Sequence, residues 1–133
     1  MNFLKKLYFI LKSSNLKFIP IYHYASLTNA LLILKTDKLH GNFGARFTKN
    51  YFLHKSGYQG LSGISVQIEF NRDKLKNNYK IKPIKDTNIY SEYDEIKDKS
   101  EEMIEKTIES VTKYITRIVL FKNTAELVKL KLY

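Results

Sequence analysis

"IPIYHYASLTNALLILKTDKLHG" (Ile19 to Gly41) is the stretch from which the rest of the chain is read. Its first part belongs to "FIPIYHY" (Phe18 to Tyr24), β-branched and aromatic, which predicts a short strand. Pro20 stands where an edge or a strand start tolerates a missing N–H. Ser26 then occupies an N-cap position, and Leu27, Ala30, Leu31 and Leu34 follow at helical spacing, predicting an amphipathic helix over 27–36. The odd residue of the strand is His23, set between two tyrosines. An imidazole there is either a packed core or edge group or part of a site, and the rest of the chain bears on which.

Outward from this unit, "HGNFG" (His40 to Gly44) breaks the chain and "ARFTKN" (Ala45 to Asn50) predicts a second strand. Residues 51–62, "YFLHKSGYQGLS", read as a glycine-containing loop of the kind that carries binding groups. In "ISVQIEF", Ile64, Val66, Ile68 and Phe70 alternate with Ser65, Gln67 and Glu69, which predicts a strand with one buried and one polar face. "NRDKLKNN" (Asn71 to Asn78) reads as a turn or single helical turn capped by Asp73, and "YKIKPI" (Tyr79 to Ile84) as another strand. Residues 85–99 lack apolar periodicity and read as a loop.

From Ser100 two readings stay open. Met103, Ile104, Thr107, Ile108, Val111 and Ile115 fit a helix, whereas Met103 and Ile104 also fit the end of a strand followed by a short helix over 108–115. "RIVLF" (Arg117 to Phe121) is a strand by its β-branched run, and "AELVKLKLY" closes the chain as strand or helix. The expected class is α+β, in one domain spanning 1–133.

Composition narrows the chemistry. With no cysteine among 133 residues, disulfides, thiolate catalysis and Cys-based zinc sites are excluded, and a reducing, cytoplasmic setting is expected. Near the N-terminus only Leu7 to Leu11 run apolar between Lys6 and Lys12, too short for a signal core or a membrane span. Phe3, Leu4, Leu7, Tyr8, Ile10 and Leu11 instead predict an amphipathic helix over 1–18 that packs on the domain.

The net charge of +10 is unevenly placed: residues 1–85 hold 15 Lys/Arg against 3 Asp/Glu, and residues 86–133 hold 8 against 10. A basic front half suits an acidic partner such as nucleic acid or a phosphate-bearing cofactor. Lysine supplies 20 of the 23 basic residues, beside 14 Ile and 10 Asn, so AT-rich coding accounts for part of that excess. P-loop, GxGxxG, HExxH and GxSxG motifs are absent, and His23, His40 and His54 are not spaced as metal ligands. Metal-independent chemistry, or binding without chemistry, is what remains.

"YHYASLTNALLILKTDKLHG" (Tyr22 to Gly41) resembles the opening motif of small ADP-ribosyltransferase-like proteins, which include bacterial toxins that modify DNA or proteins and many phage proteins. Ala25 stands where those proteins often carry Thr, and Ser26 is retained. "RFTKN" (Arg46 to Asn50) is similar to the family's "SLTRD" or "FTRN" strand. "IEFNRDKLKNNYKIKP" looks like its "LDRDKLxxxYKIxP" stretch. "SEEMIE" (Ser100 to Glu105) matches a Glu-rich segment, with Met103 where Arg is common, and "KYITRIVL" resembles the closing strand. These elements follow in order across residues 19–121.

The resemblance implies a split, mixed or antiparallel sheet with short flanking helices, and mono-ADP-ribosyl transfer from NAD to a nucleic acid or a protein. The bond from nicotinamide to ribose breaks through an oxocarbenium-like state, which a carboxylate stabilises while it polarises the 2′-hydroxyl or deprotonates the acceptor. On that mapping Glu102 is the first candidate carboxylate and Glu101 the second; on a strand the two project to opposite faces. His23 holds the adenosine ribose and the Tyr24 backbone the nicotinamide amide. Ser26 and Thr48 offer hydroxyls, Arg46 or Lys49 faces the pyrophosphate, and Tyr51 or Tyr58 stacks on the nicotinamide ring. Plain structural roles stand beside these: Ser26 as a cap, the glutamates as a helix's first turn, Arg46 and Lys49 as solvated charges, and the tyrosines as loop packing.

Overall fold

The structure is a computed structural model of the chain, and it describes residues 18–40, 44–56, 63–84 and 98–121. The predicted helix over 1–18 (except its last residue), Tyr58 and the closing "AELVKLKLY" lie outside the described residues.

The opening unit forms as its sequence dictates. Strand β1 (Pro20–Ala25) leads into helix α1 (Leu27–Thr36). The Ser26 hydroxyl accepts the Asn29 amide at 3.1 Å, satisfying one of the helix's orphan donors. The helix stops at Asp37, which adopts the left-handed conformation at φ 56°. Asp37 then caps elsewhere: its carbonyl and its carboxylate accept the amides of Val111 and Thr112.

Short strands β2 (Lys38–Leu39) and β3 (Ala45–Phe47) follow, then β4 (Val66–Asn71), helix α2 (Arg72–Asn78) and β5 (Lys82–Pro83). The cap of α2 is Asn71, whose side chain accepts the Lys74 amide, and not Asp73. Asp73 lies outside the capping position and instead accepts the Ile19 amide. The ambiguous stretch after Ser100 is no continuous helix. It forms β6 (Glu102–Ile104), β7 (Ile108–Glu109), a 3-10 turn at Val111–Tyr114 and β8 (Ile115–Leu120).

The architecture is α+β, and every pairing among the described residues is antiparallel. One sheet runs β1–β4–β8, a second β3–β6–β5, and β2 pairs with β7. The two larger sheets are joined where Tyr22 and Thr48 exchange both backbone hydrogen bonds, at 2.8 and 2.9 Å. Where β3 begins, Gly44 takes φ 118°, and a Cβ there would fall 2.6 Å from the Ile104 carbonyl oxygen. Only glycine fits that approach.

The apolar core lies between the β1–β4–β8 sheet and α1. Ile21 and Ala25 of β1, Val66, Ile68 and Phe70 of β4, and Leu27, Ala30 and Ile33 of α1 form it with Phe47, Leu75 and Ile104. Phe47 meets Phe70 edge-on at 5.2 Å, a favoured aromatic geometry that ties the two sheets together. The polar alternates of β4 were expected to face solvent. They do not: Gln67 and Glu69 are as buried as their apolar neighbours. The segment after β3, with β8 alongside, covers that second face.

Candidate functional site

His23 follows Tyr22 on β1 and so projects to the face opposite it, toward α1. Its Nδ1 lies 2.8 Å from the Arg46 carbonyl oxygen, and its ring lies 5.9 Å from that of Phe47. A carbonyl can only accept, so Nδ1 carries the proton. Burial lowers the pKa of the imidazole against the opposing effect of that backbone bond. The ring is therefore neutral at pH 7, with its acceptor lone pair on Nε2.

This histidine lines a cleft of about 600 Å³. That volume lies within the range of small-molecule sites. Tyr24, Ala25 and Ser26 form one wall; Asn29, Leu32, Ile33 and Thr36 of α1 form another; Lys38, Leu39, His40, Gly63 and Ile64 complete it. Leu32 is 56% exposed. The run "LLIL" in a helix with one buried face forces an aliphatic side chain off that face, and here it becomes a wall of the cleft. Of the sequence-predicted residues, His23, Tyr24 and Ser26 come together here. Asn29, Lys38 and His40 were not foreseen, and that surplus aliphatic was a signal for the α1 wall alone.

The remaining predicted residues sit around Arg46 and β6. Arg46, whose carbonyl holds the His23 ring, sends its guanidinium to Glu101. Burial raises the pKa of the Glu101 carboxyl, outweighing the Arg46 charge. Glu102 turns to the other face of β6, where Arg72 takes both of its oxygens at 3.1 and 2.8 Å. Lys49 approaches the same carboxylate at 3.8 Å. Hydrogen bonding to Glu102 raises the Arg72 pKa further, so its charge is permanent. Neither glutamate lines the cleft, and no carboxylate does among the described residues.

Thr48 faces away from the cleft. Its hydroxyl donates to Asp98, which also accepts from the Asn50 amide group at 2.8 Å and from the backbone and hydroxyl of Ser100 at 3.0 and 2.7 Å. Tyr51 likewise lies on the far side of β1, its ring edge-on to Tyr22 at 5.8 Å.

That far side is a buried polar network. Gln67 Nε2 donates to the Tyr24 hydroxyl and to the Tyr51 carbonyl, at 2.9 and 2.6 Å. The Tyr24 hydroxyl in turn lies 2.9 and 2.8 Å from the carbonyls of Asn50 and Tyr51, sharing one proton between them. Beside it Glu69 accepts from Thr116 at 2.8 Å and from Arg117 at 3.0 Å. Burial, aided by the Glu69 charge, pushes the Tyr22 pKa up to about 12, and burial raises that of Tyr24. Both phenols stay protonated near neutral pH.

No group of His, Asp and Glu among the described residues is arranged to hold a metal ion, and no helix there is long and apolar enough to cross a membrane. Comparison of the chain with protein-family models, with curated proteins and with solved structures finds no match.

Proposed function

We propose that the His23 cleft binds NAD and that the chain is a mono-ADP-ribosyltransferase of the fold its motifs resemble, acting on a nucleic acid or a nucleic-acid-bound protein. One observation carries this reading. Arg46 holds the His23 ring with its carbonyl and Glu101 with its guanidinium, so a cleft histidine and a buried carboxylate are tied to a single residue. A neutral His23 accepts a ribose hydroxyl at Nε2, and the β1 backbone at Tyr24 offers amide recognition at the same wall. In the transfer, the bond from ribose C1″ to the nicotinamide nitrogen breaks and its electron pair leaves with nicotinamide. A bond from C1″ to the acceptor's nucleophile forms, and the nucleophile's proton passes to a base. Glu101, linked to Arg46, is one candidate for that base and Glu102 on β6 the other. The basic front half of the chain favours an acidic acceptor.

A second reading, NAD or nucleotide binding without turnover, is favoured by one feature: neither glutamate lines the cleft. Calorimetric titration with NAD, on the wild type and on His23→Ala checked for folding by circular dichroism, tests the shared part. Binding lost in a folded variant supports the site; absence of binding to the wild type overturns both readings. Nicotinamide release measured on Glu101→Gln and Glu102→Gln then separates them. Turnover that falls in either variant supports transfer, and a wild type that binds NAD without releasing nicotinamide leaves the binding module.

A further inference from the structure

Tyr51 and Phe52 are consecutive, 43% and 53% exposed, with rings perpendicular at 5.0 Å. Exposed single aromatics need no explanation, but this pair is held from beneath by an unusual investment of buried polar groups. The Tyr51 carbonyl receives Gln67 Nε2 and faces the Tyr24 hydroxyl, while the Asn50 side chain binds both the Lys55 carbonyl and Asp98. A 3-10 turn at Leu53–Lys55 closes the segment, with the Ser56 hydroxyl donating to the Leu53 carbonyl. The backbone under the two rings is thereby fixed on both sides.

One cation lies against each ring. The Arg117 guanidinium lies 5.1 Å from the Tyr51 ring centre while pairing with Glu69, and Lys55 Nζ lies 5.8 Å from that of Phe52. Lys49, which precedes them on the same segment, is turned to Glu102 at 3.8 Å.

We infer that Tyr51 and Phe52, with Lys55 beside them, form a docking surface for single-stranded nucleic acid, with unpaired bases stacking on the rings and Lys55 meeting the phosphates. Two features select this partner. Every base has a face that stacks on an aromatic ring, and paired bases do not offer it. Lys55 lies against the Phe52 ring and the chain carries +10 overall, which matches a polyanion. The surface does not rest on the NAD reading, because His23 projects from the opposite face of β1.

Fluorescence anisotropy of the full chain with a labelled oligothymidine of about 12 nucleotides, at low salt, tests the assignment. Phe52→Ala should weaken binding about 5- to 100-fold, as loss of one stacked base does, while Phe52→Trp should retain it. Because Phe52 is exposed, its replacement leaves the fold intact. Lys55→Ala should flatten the salt dependence of log affinity by about 0.7, the single-strand value for one lost phosphate contact. Lys35→Ala, exposed on α1 and outside the cleft lining, should leave the stacking contribution unchanged. The inference is overturned by no binding of the wild type, by Phe52→Ala equal to wild type, or by a flattening in Lys55→Ala matched by Lys35→Ala on α1 and so due to overall charge. Preference for the corresponding duplex would also overturn it.

Discussion

The two faces of the β1–β4–β8 sheet are equally dry and differently made. Under α1 the sheet buries Ile21, Val66, Ile68 and Phe70, whose contacts are non-directional. On the other face it buries Tyr22 edge-on to Tyr51, and Tyr24, Gln67 and Glu69, the last three each tied by hydrogen bonds or charge to a named neighbour. An apolar face tolerates sliding of what packs on it, whereas a polar one, in a low dielectric, fixes its cover in a single register. The cleft opens beside the first face, and the exposed aromatic pair is mounted on the second. Depth of burial does not distinguish a packing face from a positioning face; the chemistry of the buried atoms does.

The largest test of that contrast is Phe70→Ala. Removal of this fully buried ring, which also contacts Phe47, should cost about 3–5 kcal/mol in urea denaturation, with loss of both sheets together. Breaking the positioning face should cost less and act more locally. Gln67→Ala removes one of the two donors to the Tyr51 carbonyl, leaving only the proton that the Tyr24 hydroxyl shares with Asn50, and should destabilise by about 1–3 kcal/mol. Its signature is faster amide exchange over 49–56 before the core opens; uniform protection loss across α1 as well would erase the distinction between the faces.

Ser26→Ala, which removes the α1 cap without touching either face, should cost about 1 kcal/mol by the same denaturation assay. The smallest effect is that of pH. Burial holds the His23 pKa below its unfolded value near 6.5, so in acid the unfolded chain binds a proton that the folded chain resists. The stability tied to the neutral ring is full above pH 6.5 and declines as pH falls through the lowered folded pKa. Denaturation midpoints at pH 7.5 and 5.5 should differ less in His23→Gln than in the wild type.

How much of this was legible in the sequence follows from which interactions are local. The α1 helix and its Ser26 cap depend on residues three and four apart, and both stand where the spacing put them. The β4 alternation gave the apolar half of the strand correctly. It could not reveal that Gln67 and Glu69 are covered, because their cover arrives from Tyr51 and from Thr116 and Arg117, far along the chain. For the same reason Met103 and Ile104 fit two patterns: only pairing with β3 and β5 makes them a strand. At the candidate site the adjacency of His23, Tyr24 and Ser26 was readable from one short stretch. That Arg46 would bind His23 through its backbone and Glu101 through its side chain was not, since a carbonyl leaves no mark in a sequence.

The bridge between Tyr22 and Thr48 has a consequence for motion. Among the described residues the two three-stranded sheets share a single pair of backbone bonds, a line of parting that the Phe47 and Phe70 rings bridge from one side. That line runs past His23 on one side and the anchored turn on the other. The amide protons of Tyr22 and Thr48 thus act as gauges. If they exchange with deuterium sooner than those of Ile68 and Phe70, the halves swing apart as separate bodies without any strand being lost. If all four exchange together, the molecule opens only by unfolding.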